Sequence, residues 1–124
     1  MTTMLFIAAF LAFVVGIAHS VLGERYILVR LFRRTELPKL FGSTLFTMRV
    51  LRFAWHLTTI AWWGFAVILV LLARRSVSPH NLYNVLAVTF LITGAITFAI
   101  SRGRHLAWPV FLFIGGVCFY AAAA

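Results

Sequence analysis

Residues 51–63 read LRFAWHLTTIAWW and open an apolar run that continues to Ala73. The part from Phe53 onward has the roughly 17–25 residues that a helix needs to cross the hydrocarbon core of a bilayer. Arg52, His56 and two threonines lie in or beside its first turns. The run therefore predicts a membrane-spanning helix that carries polar groups where it enters the membrane.

Composition supports a membrane environment for the whole chain. Of its 124 residues, 64% are hydrophobic and 10% are charged, whereas soluble domains average roughly 45–50% and 25%. A small soluble fold has too much surface to hide such an excess of apolar side chains. We therefore expect residues 1–124 to form a single integral membrane domain.

Four apolar runs reach membrane-spanning length, at about 4–22, 53–73, 82–100 and 105–123. Backbone polar groups in lipid have to be satisfied within the segment, so each run is expected to be helical. The predicted fold is all-α, with four transmembrane helices in a bundle. Aromatic residues near the span ends are expected to anchor them at the membrane interface: Trp55, Tyr83, Trp108 and Tyr120.

The basic residues predict the orientation of the chain. The net charge is +9, and nine of the eleven basic residues lie between the first and second runs or between the third and fourth. The second connection holds the other two, Arg74 and Arg75. Because basic loops stay in the cytoplasm, we expect loops one and three inside and both termini outside, in a bacterial inner membrane. Membrane lipids, rather than nucleic acid, are the expected partner of this charge.

The first connection is expected to be structured. In residues 23–34, GERYILVRLFRR, aliphatic side chains fall on one helical face and arginines on another, which predicts an amphipathic, basic cytoplasmic extension of the first helix. Pro38 is expected to end this extension. Ser43 is a candidate N-cap for a second helix that begins at Thr44.

Histidines are predicted to share one layer near the cytoplasmic face. His19 lies three residues before the end of the first span and His56 three residues after the start of the second. At 1.5 Å per residue, both would lie roughly 5 Å inside the boundary. His105 opens the last span on the same side, whereas His80 lies on the opposite one.

Two hypotheses for a cofactor follow, because imidazole is a good ligand for haem iron and for transition metals. Two facing histidines could hold haem, with Arg49 or Arg52 on its propionates. A transition-metal site with an open position is the other hypothesis, and its candidate ligands are His19, His56, His105 and Glu24. The competing interpretation is structural, with histidines bonded to helix ends or lipid phosphates and arginines extended to the interface.

Each of the first two helices carries a stripe of spaced residues, and the stripe on the first helix is expected to pack against another helix. Gly16, Ser20 and Glu24 recur at four-residue steps on the first helix, and small residues at such spacing permit close helix approach. The second helix carries a polar stripe within one arc of its surface, made of Arg49, Arg52, His56, Thr59 and Trp63.

The remaining polar features are sparse. Thr89, Thr93 and Thr97 form a ladder that could line a pore, or could bond carbonyls of their own helix and pack against a neighbour. The chain has no Asp, two Glu and one cysteine, Cys118, so it forms no intrachain disulfide. No motif of a known enzyme class is present, and a non-enzymatic role is expected.

Three functions are consistent with these patterns. The first is an accessory or assembly subunit that associates with itself or with a larger membrane complex. The second is a haem- or metal-binding protein, such as an oxidoreductase component. The third and weaker one is an oligomeric channel lined by the threonine stripe.

Overall fold

The computed structural model describes residues 1–124 as an all-helical chain without a β-strand. Its four helices are α1 (Thr2–Leu31), α2 (Leu45–Ala73), α3 (Pro79–Ser101) and α4 (Ala107–Ala123). The first three are long and apolar enough to cross a membrane, by length and composition. The fourth is a shorter apolar helix of 17 residues, or about 25 Å at 1.5 Å per residue. The all-helical prediction is confirmed.

Helix α1 continues beyond the predicted span through a π-helical segment, Gly23–Leu28. The N–H of Val29 bonds to the carbonyl of Glu24, five residues back, so the local winding is wider than that of an α-helix. Leu28 is buried, with 2% of its surface exposed. The extension predicted for residues 23–34 thus begins as a direct continuation of α1.

The extension ends earlier than the sequence predicts. Helix α1 stops at Leu31, before Pro38, because the N–H groups of Arg33 and Arg34 turn to carbonyls three residues back. Helix α2 begins at Leu45, one residue later than expected. Its N-cap residue Thr44 makes no side-chain capping bond.

The four helices pack side by side in chain order. Backbones approach closely between α1 and α2, between α2 and α3, and between α3 and α4, but α1 does not approach α3 or α4 in this way. Glycines allow the closest packing. A Cβ atom at Gly94 would lie 2.7 Å from Leu112, and one at Gly115 would lie 2.7 Å from Leu91. Each helix therefore keeps a broad face free of contacts within the chain.

The threonine stripe of α3 takes part in this packing. Thr93 and Thr97 are buried, and Thr97 Oγ1 donates a hydrogen bond to the carbonyl of Thr93 at 2.8 Å. Thr89 Oγ1 lies against Gly64 of α2. Within one copy of the chain the stripe therefore faces neighbouring helices, and the channel hypothesis would need several copies.

Gly16 and Gly116 offer a matched test of the α1–α2 contact. A Cβ atom at Gly16 would lie 2.6 Å from Trp63 Nε1 and 3.3 Å from Thr59 Cγ2, whereas one at Gly116 meets nothing within 4 Å. Replacing glycine by alanine inside a helix is favourable by about 1 kcal/mol when space is free. We predict that Gly116→Ala raises the thermal midpoint of the detergent-solubilised protein and that Gly16→Ala lowers it. A rise in both variants would mean that α1 and α2 are not in contact at Gly16.

Candidate functional site

Three side chains of α2 donate hydrogen bonds to main-chain carbonyls of α1. They run from Trp55 Nε1 to His19 O at 3.0 Å, from Thr59 Oγ1 to Gly16 O at 3.1 Å, and from Trp63 Nε1 to Phe13 O at 3.2 Å. We call these three bonds the carbonyl ladder. The donors are one helical turn apart, so they follow a single face of α2. Side-chain hydrogen bonds between membrane helices average about 0.6 kcal/mol each, so the ladder contributes roughly 2 kcal/mol.

Glycines on α1 make the ladder possible. Gly16 and Gly23 are both buried, and a Cβ atom at Gly23 would collide with the indole of Trp55. The stripe of small residues on α1 therefore packs against another helix, as its spacing predicts. The structure shows that this helix is α2 and that the stripe faces its polar side chains.

Glu24 pairs with two cationic or protonatable groups of α2. Arg52 contacts both carboxylate oxygens of Glu24. Its Nη2 atom lies 2.8 Å from Oε1 and its Nε atom lies 3.3 Å from Oε2. This two-point geometry is the strong form of an arginine–carboxylate pair. His56 Nε2 lies 3.3 Å from the same Oε2 atom. The guanidinium of Arg52 also lies over the ring of Phe32, with Cζ 5.0 Å from the centroid.

The contacts continue from His56 toward the middle of the helices. His56 Nδ1 lies 2.9 Å from Ser20 Oγ, which lies 2.7 Å from Thr59 Oγ1. Thr59 in turn donates to the carbonyl of Gly16. Glu24, His56, Ser20 and Thr59 thus form one continuous polar chain between α1 and α2.

The number of hydrogens in the polar chain indicates the protonation state that it fits. Four contacts link Glu24, His56, Ser20, Thr59 and the carbonyl of Gly16. A neutral imidazole and two hydroxyls supply three hydrogens, but an imidazolium and two hydroxyls supply four. With His56 as an imidazolium, each nitrogen donates, and each hydroxyl accepts one hydrogen and donates its own. The polar chain therefore needs one hydrogen more than a neutral imidazole and an ionised carboxylate supply, and either His56 or Glu24 can carry it.

His19 and His105 lie outside the polar chain. His19 donates from Nε2 to the carbonyl of Trp55 at 3.2 Å, and its ring stacks on the Trp55 indole with centroids 4.5 Å apart. His105 lies with its ring 4.8 Å from that of Phe53 and 6.3 Å from that of Phe46. Both imidazoles pack against aromatic rings.

The structure thus brings together some of the residues of the predicted site. Glu24, Arg52 and His56 come together, while His19 is held by Trp55 on the neighbouring turn. Desolvation, together with the positive charges of Arg102 and Arg104, lowers the pKa of Arg49. No three His, Cys, Asp or Glu side chains are grouped closely enough to hold one metal ion. The haem and metal hypotheses stay predictions, and a site shared by both histidines would require His19 to leave Trp55.

Ser20, His56 and Glu24 have the connectivity of a nucleophile, a base and an orienting carboxylate. Two features argue against that chemistry here. Ser20 Oγ is also bonded to Thr59, and backbone N–H groups inside a helix are already bonded to carbonyls four residues back. No backbone donors on α1 are therefore available around Ser20 to stabilise an oxyanion.

Two roles were not predicted from the sequence. Trp55 was assigned to the interface and Trp63 to a polar stripe, but both are hydrogen-bond donors to α1. Their four-residue spacing from Thr59 is the signal that could have shown this. The sequence predicts Glu24 only as one of four candidate metal ligands. In the structure its carboxylate contacts both Arg52 and His56, so it lies at the centre of the charged contacts.

Comparison of the chain with protein families, with characterised proteins and with solved structures finds no match. The proposals below therefore depend on the geometry of this chain.

Proposed function

We propose that the chain is a small polytopic protein of a bacterial inner membrane, acting as an accessory or assembly subunit. It would associate with copies of itself or with a larger membrane complex. The observation that carries this proposal is the serial packing of the helices, each of which approaches only its neighbours in the chain. Because 15 of 124 residues are buried, the fold has little interior in which to enclose a substrate. It has long apolar faces on which other helices can pack.

The polar chain supports a structural role for the most polar part of the molecule. Both ring nitrogens of His56 and both carboxylate oxygens of Glu24 have partners within the chain. Polar groups that satisfy one another hold two helices in a fixed register. On this proposal the α1–α2 contact holds the two helices in one fixed arrangement, and this arrangement orients the outer faces of the subunit.

The proposal includes four membrane crossings with both termini outside. At 17 residues, α4 is at the short end of the range for a spanning helix. The contact of His105 with Phe46 and Phe53 places the third loop beside the start of α2. This contact supports an arrangement in which the nine basic residues of loops one and three lie at one end of the helices.

Reporter fusions test this orientation. Fusions at Ala124 and in the connection after Arg75 should both report the outer side, because nine basic residues lie at the other end and two at this one. A cytoplasmic signal from either fusion would reverse or break the proposed topology.

Crosslinking in intact membranes tests the proposed assembly. Azidophenylalanine at Phe10 of α1 or at Phe113 of α4, which are 65% and 73% exposed, should give protein adducts of defined mass. The matched control is Phe53, which is 3% exposed and should react within its own chain. A second copy with a different tag separates self-association from a foreign partner. If Phe10 and Phe113 yield only lipid adducts, the subunit proposal fails.

A haem- or metal-binding oxidoreductase component is the second candidate. One observation favours it: an imidazole and a carboxylate, His56 and Glu24, lie 3.3 Å apart next to Arg52. Stoichiometric metal or a Soret band in the purified protein, lost in His56→Ala and kept in His80→Ala, would replace the subunit proposal with this one.

A further inference from the structure

The loop between α3 and α4 lies against the first turns of α2. The ring of His105 packs on Phe53 and Phe46, which share one face of α2 with Arg49 at helical spacing. Arg104 precedes His105 in the chain. The contact therefore brings Arg104 to the side of α2 on which Arg49 lies.

This loop has a defined conformation. The N–H of Gly103 bonds to the carbonyl of Phe98 at 3.0 Å, and that of Arg104 bonds to Ser101 at 3.2 Å. From the other side, Trp108 Nε1 donates to the carbonyl of Gly103 at 3.2 Å. Arg102 and Arg104 thus project from a backbone that is held at both ends, so little ordering of the loop backbone would be required on binding.

The three arginines lack a carboxylate partner within the chain. Both ion pairs of the structure belong to Glu24. Desolvation, together with the positive charges of Arg102 and Arg104, lowers the pKa of Arg49. Arg102 and Arg104 are exposed and Arg49 is half-buried. Like charges brought together in this way are stabilised by an anion, and planar guanidinium groups fit a phosphate through two hydrogen bonds each.

We propose that Arg49, Arg102 and Arg104 bind the phosphate of an anionic phospholipid. The cluster lies where apolar helices end, which is the level of lipid head groups in a membrane. Apolar side chains flank it, with Leu106 83% exposed and Phe98 50% exposed, and these can contact the upper acyl chains of the same lipid. This site is separate from the polar chain and goes beyond the assembly role.

Native mass spectrometry of the full-length protein tests the proposal. The protein is reconstituted with phosphatidylglycerol or with phosphatidylcholine, and retained lipids are counted. Wild type should retain one phosphatidylglycerol in preference to phosphatidylcholine. The triple variant Arg49→Gln, Arg102→Gln, Arg104→Gln should bind phosphatidylglycerol roughly a hundredfold more weakly, since a basic residue near a charged surface is worth about fivefold in affinity.

The matched control removes the same charge from the same end of the molecule. Arg30, Arg33 and Arg34 are exposed residues of the first connection, and their triple glutamine variant should change the affinity by less than about fivefold. Equal losses in the two triple variants would overturn the proposal in favour of a diffuse surface charge. Equal retention of the two lipids by wild type would also overturn it.

Two further arms keep the result interpretable. Inorganic phosphate that displaces the lipid at equal concentration would identify a soluble phosphate ligand and overturn the lipid assignment. If the triple variant loses its helical circular dichroism, the single variants Arg102→Gln and Arg104→Gln carry the test. Each should weaken binding about fivefold. Replacing all three arginines by lysine keeps the charge but not the two-point geometry, and should give an intermediate affinity.

Discussion

The carbonyl ladder between α1 and α2 is the interaction on which the rest of the polar structure depends. Main-chain carbonyls inside a helix are already bonded, and they accept a second hydrogen only from a donor that comes very close. Trp55, Thr59 and Trp63 can do so because Gly16 and Gly23 have no Cβ atom in their way. Once this register is set, Ser20 and Glu24 face His56 and Arg52 without further adjustment.

The polar chain also follows a gradient of burial. At its outer end the side chains of Arg52 and Glu24 are 42% and 33% exposed, and that of His56 is 26% exposed. At its inner end Thr59 is 3% exposed. Full charges thus lie where water or head groups can reach them, and neutral hydroxyls lie deeper. This order keeps the desolvation cost of the ion pair small.

Hydropathy and spacing predict much of this fold and part of the site. The third span, predicted at 82–100, lies within α3, and the small-residue face of α1 packs against another helix as predicted. The direction of each ring could not be predicted in the same way. His19 lies next to Ser20, which contacts His56, but Trp55 supplies both a stacking surface and a carbonyl that turn the His19 ring away from His56. Such choices depend on tertiary neighbours that periodicity does not specify.

The order in which the helices pack could not be predicted from the sequence either, for a physical reason. Lipid tails are as apolar as leucine, so an apolar face does not indicate whether it meets lipid or another helix. The observed packing differs from contact to contact. The α1–α2 contact has the carbonyl ladder, and α3–α4 has interlocking glycine and leucine residues, whereas α2–α3 is the least extensive of the three.

Apolar grooves run beside the α2–α3 contact, and the arginine cluster spans it, with Arg49 on one side and Arg102 and Arg104 on the other. Repulsion among these arginines would oppose the least extensive of the three helix contacts, and the proposed bound phosphate would offset that repulsion. A lipid at this position would therefore act as part of the packing between α2 and α3, in addition to being a ligand.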